Sequence, residues 1–189
     1  GGMVWFSARD DAGRDRVLSD TERGVTKVIT SNTSEAESTV ASAVTAFNSN
    51  GFSIGSYGNI NNNNKLEASW TFRKTPGFFD VQTFTQSGTS GNQTIPHDLE
   101  AVPGFIVTKN RTRSQGWCCY HSSLGTTKKL FLDSTGAAIT ETIFTSVGDT
   151  SFDFSLAFAG GNDGDDYVVY LFADDDQIFG ADEDESIIK

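Results

Sequence analysis

An internal repeat constrains the fold of this chain more than any other feature of its sequence. GGMVWFSAR, RGVTKVITSNTSEA, GFSIGS and LEASWTFRK match, in the same order, PGFIVTKNR, LGTTKKLFLDSTGA, DFSLAF and YVVYLFADD. Aligned pairs are Gly2 with Gly104, Gly24 with Gly125, Lys27 with Lys128, Phe52 with Phe154 and Phe72 with Phe172, at offsets between 100 and 102 residues. Alternation shared by all β-strands would not place a Gly-x-Thr/Val-Lys pattern at matching positions. The sequence therefore predicts two copies of one structural unit.

Most of the segments between turn signals have the pattern of short β-strands. They are rich in Val, Ile, Thr, Phe and Tyr, alternate at period two, and are separated by Gly, Asn and Asp clusters. The predicted strands include MVWFSA, VTKVIT, FSIGS and LEASWTF, then FFDVQTFT, GFIVTKN, GWCCYH, KLFLD, FDFSLAF and YVVYLFA. We therefore expect an all-β fold, an antiparallel β-sandwich.

Two local features refine this prediction. Asn50-Gly51 supplies the positive backbone angles of a tight hairpin, so Ala46 and Phe47 should pair with Phe52–Ile54. Helical propensity is confined to Ser34–Phe47, where a Ser/Glu start resembles a helix cap. One short helix and a loop fit that segment equally well.

The repeat divides the chain at Pro76-Gly77. Residues 1–75 are a first unit that lacks an opening hairpin, and residues 76–177 are a second unit whose opening hairpin spans 76–103. Residues 178–189 are the start of a further unit or a C-terminal strand. The chain opens directly into a strand pattern without a secretory signal. We expect it to be a window on a longer tandem array.

Charge and hydropathy exclude two classes of partner. The 189 residues include 25 acidic and 14 basic side chains, a formal net charge of -11 that opposes nucleic-acid backbones and anionic lipid alike. No apolar run approaches the roughly 18 residues needed to cross a bilayer as a helix. We expect no nucleic-acid partner and no membrane insertion.

The cysteine and histidine content argues against a zinc site or a disulfide framework. Cys118 and Cys119 are adjacent, so on a strand their side chains point to opposite faces. Cys119 and His121 share a face, but a structural zinc ion needs about four ligands and the remaining histidine is His97. Small, half-buried strand residues are the simpler interpretation.

Acidic loops offer a different kind of metal ligand. In GNDGDD, the carboxylates of Asp163, Asp165 and Asp166 lie close enough in sequence to converge on calcium, which prefers oxygen ligands in flexible loops. EF-hand spacing is absent, and the matching loop of the first copy carries amides. A solvated acidic loop is the alternative.

Polar loops also suggest a carbohydrate site. The loops GNINNNNK, QSGTSGNQ and GGNDGDD could hydrogen-bond sugar hydroxyls through Asn61, Asn62 and Asn162, while Tyr57 or Trp117 could stack on a sugar ring. Asn and Gly are also ordinary turn residues, so the alternative is that these loops only connect strands.

Catalysis is not expected. Glu183 and Glu185 alternate as the carboxylates of retaining glycosidases do, but their run is acidic on both faces and lacks neighbouring aromatic residues. With two histidines, no Ser/His/Asp or Cys/His arrangement is credible. A glycan-degrading domain remains the lesser alternative to a non-enzymatic protein.

Several motifs together resemble a known family. They are the aromatic opening strands, the W-x-x-YH-x-SLG-x-TK element at Trp117–Lys128, GFSIG after a turn, and the closing W-x-F or Y-x-F strand. This combination is similar to a repeat of structural proteins from marine and other tailed bacteriophages, and the PGFFDVQTFTQSGTSGNQTIPHDLEAVPG segment is similar to that family's GxYTGNG…HxLGxxP hairpin. The resemblance covers nearly the whole chain, which departs from the family in its acidic tail and paired cysteines.

The resemblance implies a concanavalin-like or laminin-G-like jelly roll in a virion protein, and it supplies no catalytic residues. Its implied function is a tail-fibre or other appendage module that attaches to a host-surface glycan or protein. Its implied partners are other copies of the same virion protein, including a homotrimer by analogy with phage fibres. Weak sites would suffice, because avidity multiplies their affinity. A structural spacer or a capsid or tail decoration is the alternative.

Overall fold

The structure, a computed structural model, describes residues 1–157 and 161–174. Within these residues the regular elements are sixteen β-strands and one 3₁₀ turn, Ser122–Leu124. The strands of the first half are β1 (Gly2–Ala8), β2 (Val17–Asp20), β3 (Lys27–Thr30), β4 (Ser38–Thr39), β5 (Val44–Asn48), β6 (Gly51–Ile54) and β7 (Glu67–Arg73). Those of the second half are β8 (Phe79–Thr85), β9 (Asn92–Pro96), β10 (Pro103–Asn110), β11 (Cys118–His121), β12 (Lys128–Lys129), β13 (Ile139–Thr140), β14 (Phe144–Val147), β15 (Ser151–Ser155) and β16 (Asp166–Ala173). The prediction of an all-β chain is confirmed. None of the described residues forms a helix that is long and apolar enough to cross a membrane.

Two larger sheets form the centre of the molecule. The first has the order β4-β3-β2-β1-β7 and the second the order β11-β10-β16-β8. Smaller sheets β5-β6, β14-β15-β9 and β12-β13 complete the fold, and the strand pairs are antiparallel. The resulting architecture resembles a β-sandwich.

The alternation of side chains along β1 explains how the sheets stack. Met3 and Trp5 point to one face of the first large sheet and pack with the second large sheet, in a cluster that includes Tyr170. Val4 and Phe6 point to the other face and pack in a cluster with Val44 from β5. The outer face of the second large sheet is covered in the same way by β14-β15-β9. The core therefore consists of one cluster between the large sheets and one on each outer side.

The chain passes from the first large sheet to the second at Pro76-Gly77. Phe78 N–H donates to Thr75 C=O at 3.1 Å, which closes the turn. Gly77 has φ 71°, a left-handed conformation that glycine adopts without steric cost. The predicted break in the strand pattern thus coincides with the crossing between sheets.

The predicted β5–β6 hairpin is confirmed, but its turn lies one residue earlier than predicted. Phe47 lies opposite Phe52, and Asn48 lies opposite Gly51. The turn residues are therefore Ser49 and Asn50, not Asn50-Gly51.

Two other local predictions need correction. The helical alternative for Ser34–Phe47 is wrong, because the segment includes β4 and most of β5. Its backbone is bound instead to Thr26, which donates to Val44 C=O and accepts from Val40 N–H. The predicted strand KLFLD is largely absent, since beyond β12 only Leu130 forms a bridge, to Cys119.

Strand registers in the two halves correspond closely. In the first half Met3 pairs with Asp20 on β2 and Phe72 on β7, and in the second half Phe105 pairs with His121 on β11 and Phe172 on β16. The hairpins β5–β6 and β14–β15 each contain a bulge, after Val44 and after Phe144. By register Phe52 matches Phe152, so its alignment with Phe154 was two residues out of place.

Small polar contacts repeat as well. Lys27 Nζ donates to Thr39 Oγ1 at 2.9 Å, and Lys128 Nζ donates to Thr140 Oγ1 at 2.7 Å. By these registers β7 corresponds to β16, and β6 corresponds to β15.

The segment β8–β9 has no counterpart in residues 1–75. β8 pairs with β16 and β9 pairs with β15, in two different sheets, so these strands do not pair with each other as the predicted opening hairpin of residues 76–103 would. Instead, the segment closes the edges of two sheets. Within the described part of the chain, β7 pairs with β1 alone and β6 with β5 alone. Among residues 1–157 and 161–174, no strand pairs with the outer edge of β7 or of β6.

Candidate functional site

An exposed aromatic surface lies on β1 and β7, on the face of the first large sheet that points toward the second. Trp70 is 51 % exposed and lies opposite Trp5 in the strand register. The two rings meet edge to face, with their centroids 6.5 Å apart. Together with Ser7, Arg16 and Phe72 they line a groove of about 350 Å³, which we call the tryptophan groove.

The structure fixes one of the two rings. Trp5 Nε1 donates to the buried Ser31 Oγ at 3.0 Å, while Trp70 projects toward solvent. Arg16 is held through its own guanidinium, whose Nη1 donates to Arg14 C=O at 2.8 Å. The groove thus combines an ordered aromatic surface with a guanidinium that can donate hydrogen bonds to a polar ligand and a hydroxyl oxygen that can accept them.

A second concavity lies between the β5–β6 hairpin and the ends of β1 and β7. Its volume is about 640 Å³, and we call it the edge cavity. Its lining includes Val4 and Phe52 together with the turn residues Ser49 and Asn50.

In the second half, the matching position is filled by the segment that connects β9 to β10. His97 N–H donates to Thr150 C=O at 2.9 Å, and His97 Nε2 lies 3.2 Å from Gly148 O. Leu99 and Ala101 from this segment are buried in the outer cluster. Gly148 and Thr150 match Asn48 and Asn50 by register, so the edge cavity lies at the corresponding position of the first half.

The aromatic residues predicted to stack on a sugar are placed differently. Trp117 is fully buried between the large sheets, where its Nε1 donates to Thr30 C=O at 2.9 Å. It offers no ring face to a ligand, so this prediction is wrong. Tyr57 is half-buried against the β5–β6 cluster, and its hydroxyl accepts from Asn59 Nδ2 at 3.0 Å.

The predicted asparagines lie in turns. Asn61 Nδ2 donates to Gly55 C=O at 2.8 Å, and the Asn62 carbonyl accepts from Lys65 N–H at 3.3 Å. Asn162 is exposed, and its N–H donates to the Asp165 carboxylate at 2.9 Å. These contacts hold the loops themselves and lie apart from the tryptophan groove.

Asp165 is engaged by protein groups instead of a metal ion. Its side chain is buried, accepting from Arg113 Nε at 2.8 Å and from Asn110 Nδ2 at 3.0 Å. Burial alone would raise the pKa of Asp165, but the hydrogen bonds from Asn110 and Arg113 outweigh it and lower that pKa.

The neighbouring carboxylates point to other partners. Asp163 accepts from Gly88 N–H at 2.7 Å, and Asp166 accepts from Thr85 Oγ1 at 2.7 Å. In residues 1–157 and 161–174, no group of three or more His, Cys, Asp or Glu side chains could hold a metal ion. The structure therefore does not assemble the predicted calcium site. Glu183 and Glu185, and the predicted segment 178–189, lie outside the described residues.

The cysteines and histidines have structural positions. Cys118 and Cys119 are both buried, and burial raises the pKa of Cys118 to about 12 and that of Cys119 still further. A thiol with such a pKa is inert near neutral pH. His121 caps the 3₁₀ turn by accepting from Ser123 N–H at 3.2 Å.

A buried polar network between the large sheets was not predicted from the sequence. Arg23 Nε donates to Asp20 Oδ2 at 2.6 Å, and Tyr170 from the other sheet donates its hydroxyl to the same oxygen at 2.8 Å. Glu37 accepts from Arg23 at 3.3 Å and from Arg111 at 2.9 Å. Because Tyr170 is 147 residues from Arg23, no local sequence pattern could reveal the contact.

Fold and site together define an all-β protein of stacked antiparallel sheets with an exposed aromatic groove. Residues 1–179 match the model of the Domain of unknown function (DUF7483), and the chain belongs to that family. The match spans both halves of the molecule. Comparison with curated proteins and with solved structures gave no match.

Proposed function

We propose that this chain is a non-enzymatic attachment module of a bacteriophage virion appendage, such as a tail fibre, and that it binds host-surface carbohydrate through the tryptophan groove. The observation that carries the proposal is the half-exposed Trp70 beside the fixed Trp5. A large aromatic side chain gains more free energy by burial than almost any other. Its exposure beside a second tryptophan marks a surface suited to a ligand.

The chemistry of the groove suits a sugar. The C–H face of a pyranose ring can pack on the Trp70 indole, while its hydroxyls accept hydrogen bonds from Arg16 and donate to the Ser7 hydroxyl oxygen, whose own proton is donated to Ala8 C=O. Arg16 also places a positive charge at this groove in a chain of net charge -11, which favours a sugar that carries a carboxylate or sulfate.

The virion setting is supported by the motifs shared with phage structural repeats, especially Trp117–Lys128. In such an appendage many copies act together. A single site with a millimolar dissociation constant contributes only about 4 kcal/mol. Several copies could gain a factor of roughly 10² to 10⁴ through avidity, so a shallow groove is sufficient. The partners we propose are other copies of the virion protein, in a homotrimer, and a host-surface glycan.

We further propose that the two halves are copies of one jelly-roll unit, residues 1–75 and 76–177, of which the first lacks the opening segment β8–β9. The support is the shared register of β1, β2 and β7 with β10, β11 and β16, and the repeated bulge in the small hairpins. The alternation of apolar and polar residues that β-strands share would not reproduce both the residue pairing between strands and the positions of the bulges.

The second candidate function is a structural spacer or a decoration of the capsid or tail. The outer edges of β6 and β7, with which no strand pairs in the described part of the chain, favour it, because unpaired strand edges are places where other chains add. In that case the tryptophan groove would have no ligand.

Binding to an array of purified bacterial surface polysaccharides tests the attachment function. We expect binding to at least one polysaccharide, and a loss of at least about tenfold in affinity for Trp70→Ala, because tryptophans that act as binding hot spots contribute 2 kcal/mol or more. Ile139→Ala is the matched control, since Ile139 is an exposed apolar residue (41 %) on β13 in the other half. Absence of binding, or equal binding by Trp70→Ala, would overturn the proposal.

A further inference from the structure

In the second half, two consecutive strands close two sheet edges at once. β8 pairs with β16 through seven residue pairs, from Asp166 opposite Thr85 to Phe172 opposite Phe79. β9 lies in a different sheet and pairs with β15 through five residue pairs. The segment that follows β9 fills the space between the two sheets with Leu99 and Ala101, both buried. We call β8, β9 and this following segment the plug.

The first half presents the corresponding two edges, and in the described part of the chain no plug covers them. The outer edge of β7 is regular, because its seven pairs with β1 run from Gly2 opposite Arg73 to Ala8 opposite Glu67 with no register shift. The edge carries no lysine and no proline, which natural proteins use to block strand addition. An unblocked and unbulged edge is competent to pair with another strand.

The direction of the backbone groups agrees in the two halves. Lys74 N–H donates to Gly1 C=O, so the even-numbered residues of β7 bond to β1 and the odd-numbered residues point outward. In the second half the odd-numbered Ala173 N–H donates to Phe78 C=O, on the side of β8. Residues of β7 and β16 that match at an offset of 100 thus point their N–H groups to the same side.

The edge cavity supplies the remaining part of the site. It lies where the second half holds His97, Leu99 and Ala101, and its apolar lining includes Val4 and Phe52. A volume of about 640 Å³ accommodates several side chains.

We propose that the outer edges of β7 and β6, with the edge cavity between them, form a socket for a two-strand segment of the type of residues 76–102, carried by another unit of the same family. The segment adds one strand to β7 and one to β6, and the connection after its second strand places a leucine in the edge cavity. This is recognition by β-strand addition, in which backbone hydrogen bonds give affinity and side-chain pockets give specificity. The inference rests on the proposed equivalence of the two halves, and it would link successive units into an array.

The test adds a synthetic peptide with the sequence of residues 76–102 to the full chain and measures amide hydrogen exchange. We expect exchange to slow at least about tenfold in both β7 and β6, where added strands would protect the amides. A peptide with Ile95→Asp and Leu99→Asp is the matched control, because charged side chains cannot enter an apolar cavity. Lack of protection in β7 and β6, or protection confined to β15 and β16, would overturn the proposal.

A variant of the chain separates edge pairing from other effects. Ser69→Pro removes an outward N–H from β7 and leaves the pairing with β1 in place. The melting temperature without peptide should therefore equal that of the natural chain, while the peptide should no longer slow amide exchange in β7. Ser69→Thr retains the N–H and should bind as the natural chain does.

If the peptide is insoluble, a fusion protein provides an equivalent test. A copy of residues 76–102 joined to Gly1 imitates the connection of Val102 to Pro103, and it should raise the melting temperature by more than about 4 °C. An unchanged melting temperature with unprotected β7 amides would contradict the socket. Polysaccharide binding by the natural chain does not depend on either result, so the socket and the attachment function can fail separately.

Discussion

Arg23 shows how much a single buried residue can contribute to joining the two large sheets. Its side chain is inaccessible to solvent, as is that of Asp20, and both bond to the Tyr170 hydroxyl from the opposite sheet. Burial of a guanidinium is tolerated only when its donors are paired. Burial would lower the pKa of Arg23, but Tyr170 and Asp20 outweigh it and raise that pKa, so the charge is retained.

We predict that Arg23→Met lowers the free energy of unfolding by about 3 kcal/mol, because it leaves the buried Asp20 carboxylate without its charged partner. Urea denaturation measures the change. Arg9→Met is the control, since Arg9 is exposed and should change the stability by less than about 0.5 kcal/mol. Equal stabilities of the two variants would show that the network contributes little.

Glu37 makes the stability of the fold depend on pH. Burial acts to raise its pKa, but hydrogen bonds from Arg111 and Arg23 outweigh burial and hold the pKa below the ordinary value of 4.5. A carboxyl with a lowered pKa stabilises the fold above its unfolded pKa, and this stability is lost as pH falls through the folded pKa.

The free energy of unfolding should therefore decrease as pH falls below 4.5. Glu37→Gln should be less stable at pH 7 and should lose less on acidification, as measured by urea denaturation at a series of pH values. If the variant lost as much stability in acid as the natural chain, Glu37 would not be a source of the dependence.

At the scale of elements, long strands rich in β-branched and aromatic residues could be predicted, and several short strands could not. The runs that became β1, β7, β8, β10 and β16 are seven or eight residues long, and each of them forms as expected. The sequences VLSD, NQTIP and FTSV became β2, β9 and β14, although VLSD and FTSV are only four residues long and NQTIP is mostly polar. These strands form because neighbouring strands, some of them distant in sequence, offer edges to pair with.

The turn between β7 and β8 contains a glycine, Gly77, with a left-handed backbone conformation. We predict that Gly77→Ala destabilises the fold by about 1 kcal/mol, because alanine is strained at φ 71°. Thermal unfolding measures it, with Gly136→Ala in an exposed loop at negative φ as the control. A melting temperature for Gly77→Ala equal to that of the control would contradict the strain argument.

At the scale of the molecule, the predicted repeat could not indicate the site. Trp70 and Tyr170 occupy matching positions in the registers of β7 and β16, yet Trp70 is 51 % exposed and Tyr170 is 1 % exposed. The difference arises from packing between sheets and from β8, which pairs with β16. The sequence predicted ligand sites in loops rich in Asn and Asp, whereas the exposed aromatic surface lies on the strands β1 and β7.

The three indole N–H groups of this chain provide the most direct test of carbohydrate binding by the tryptophan groove. They give three resonances, from Trp5 and Trp70 in the groove and from Trp117 in the core between the sheets. On titration with a bacterial polysaccharide fragment, we predict that the Trp5 and Trp70 resonances shift in a saturable way while the Trp117 resonance stays fixed. Constant resonances for Trp5 and Trp70 across a polysaccharide panel would contradict the attachment function.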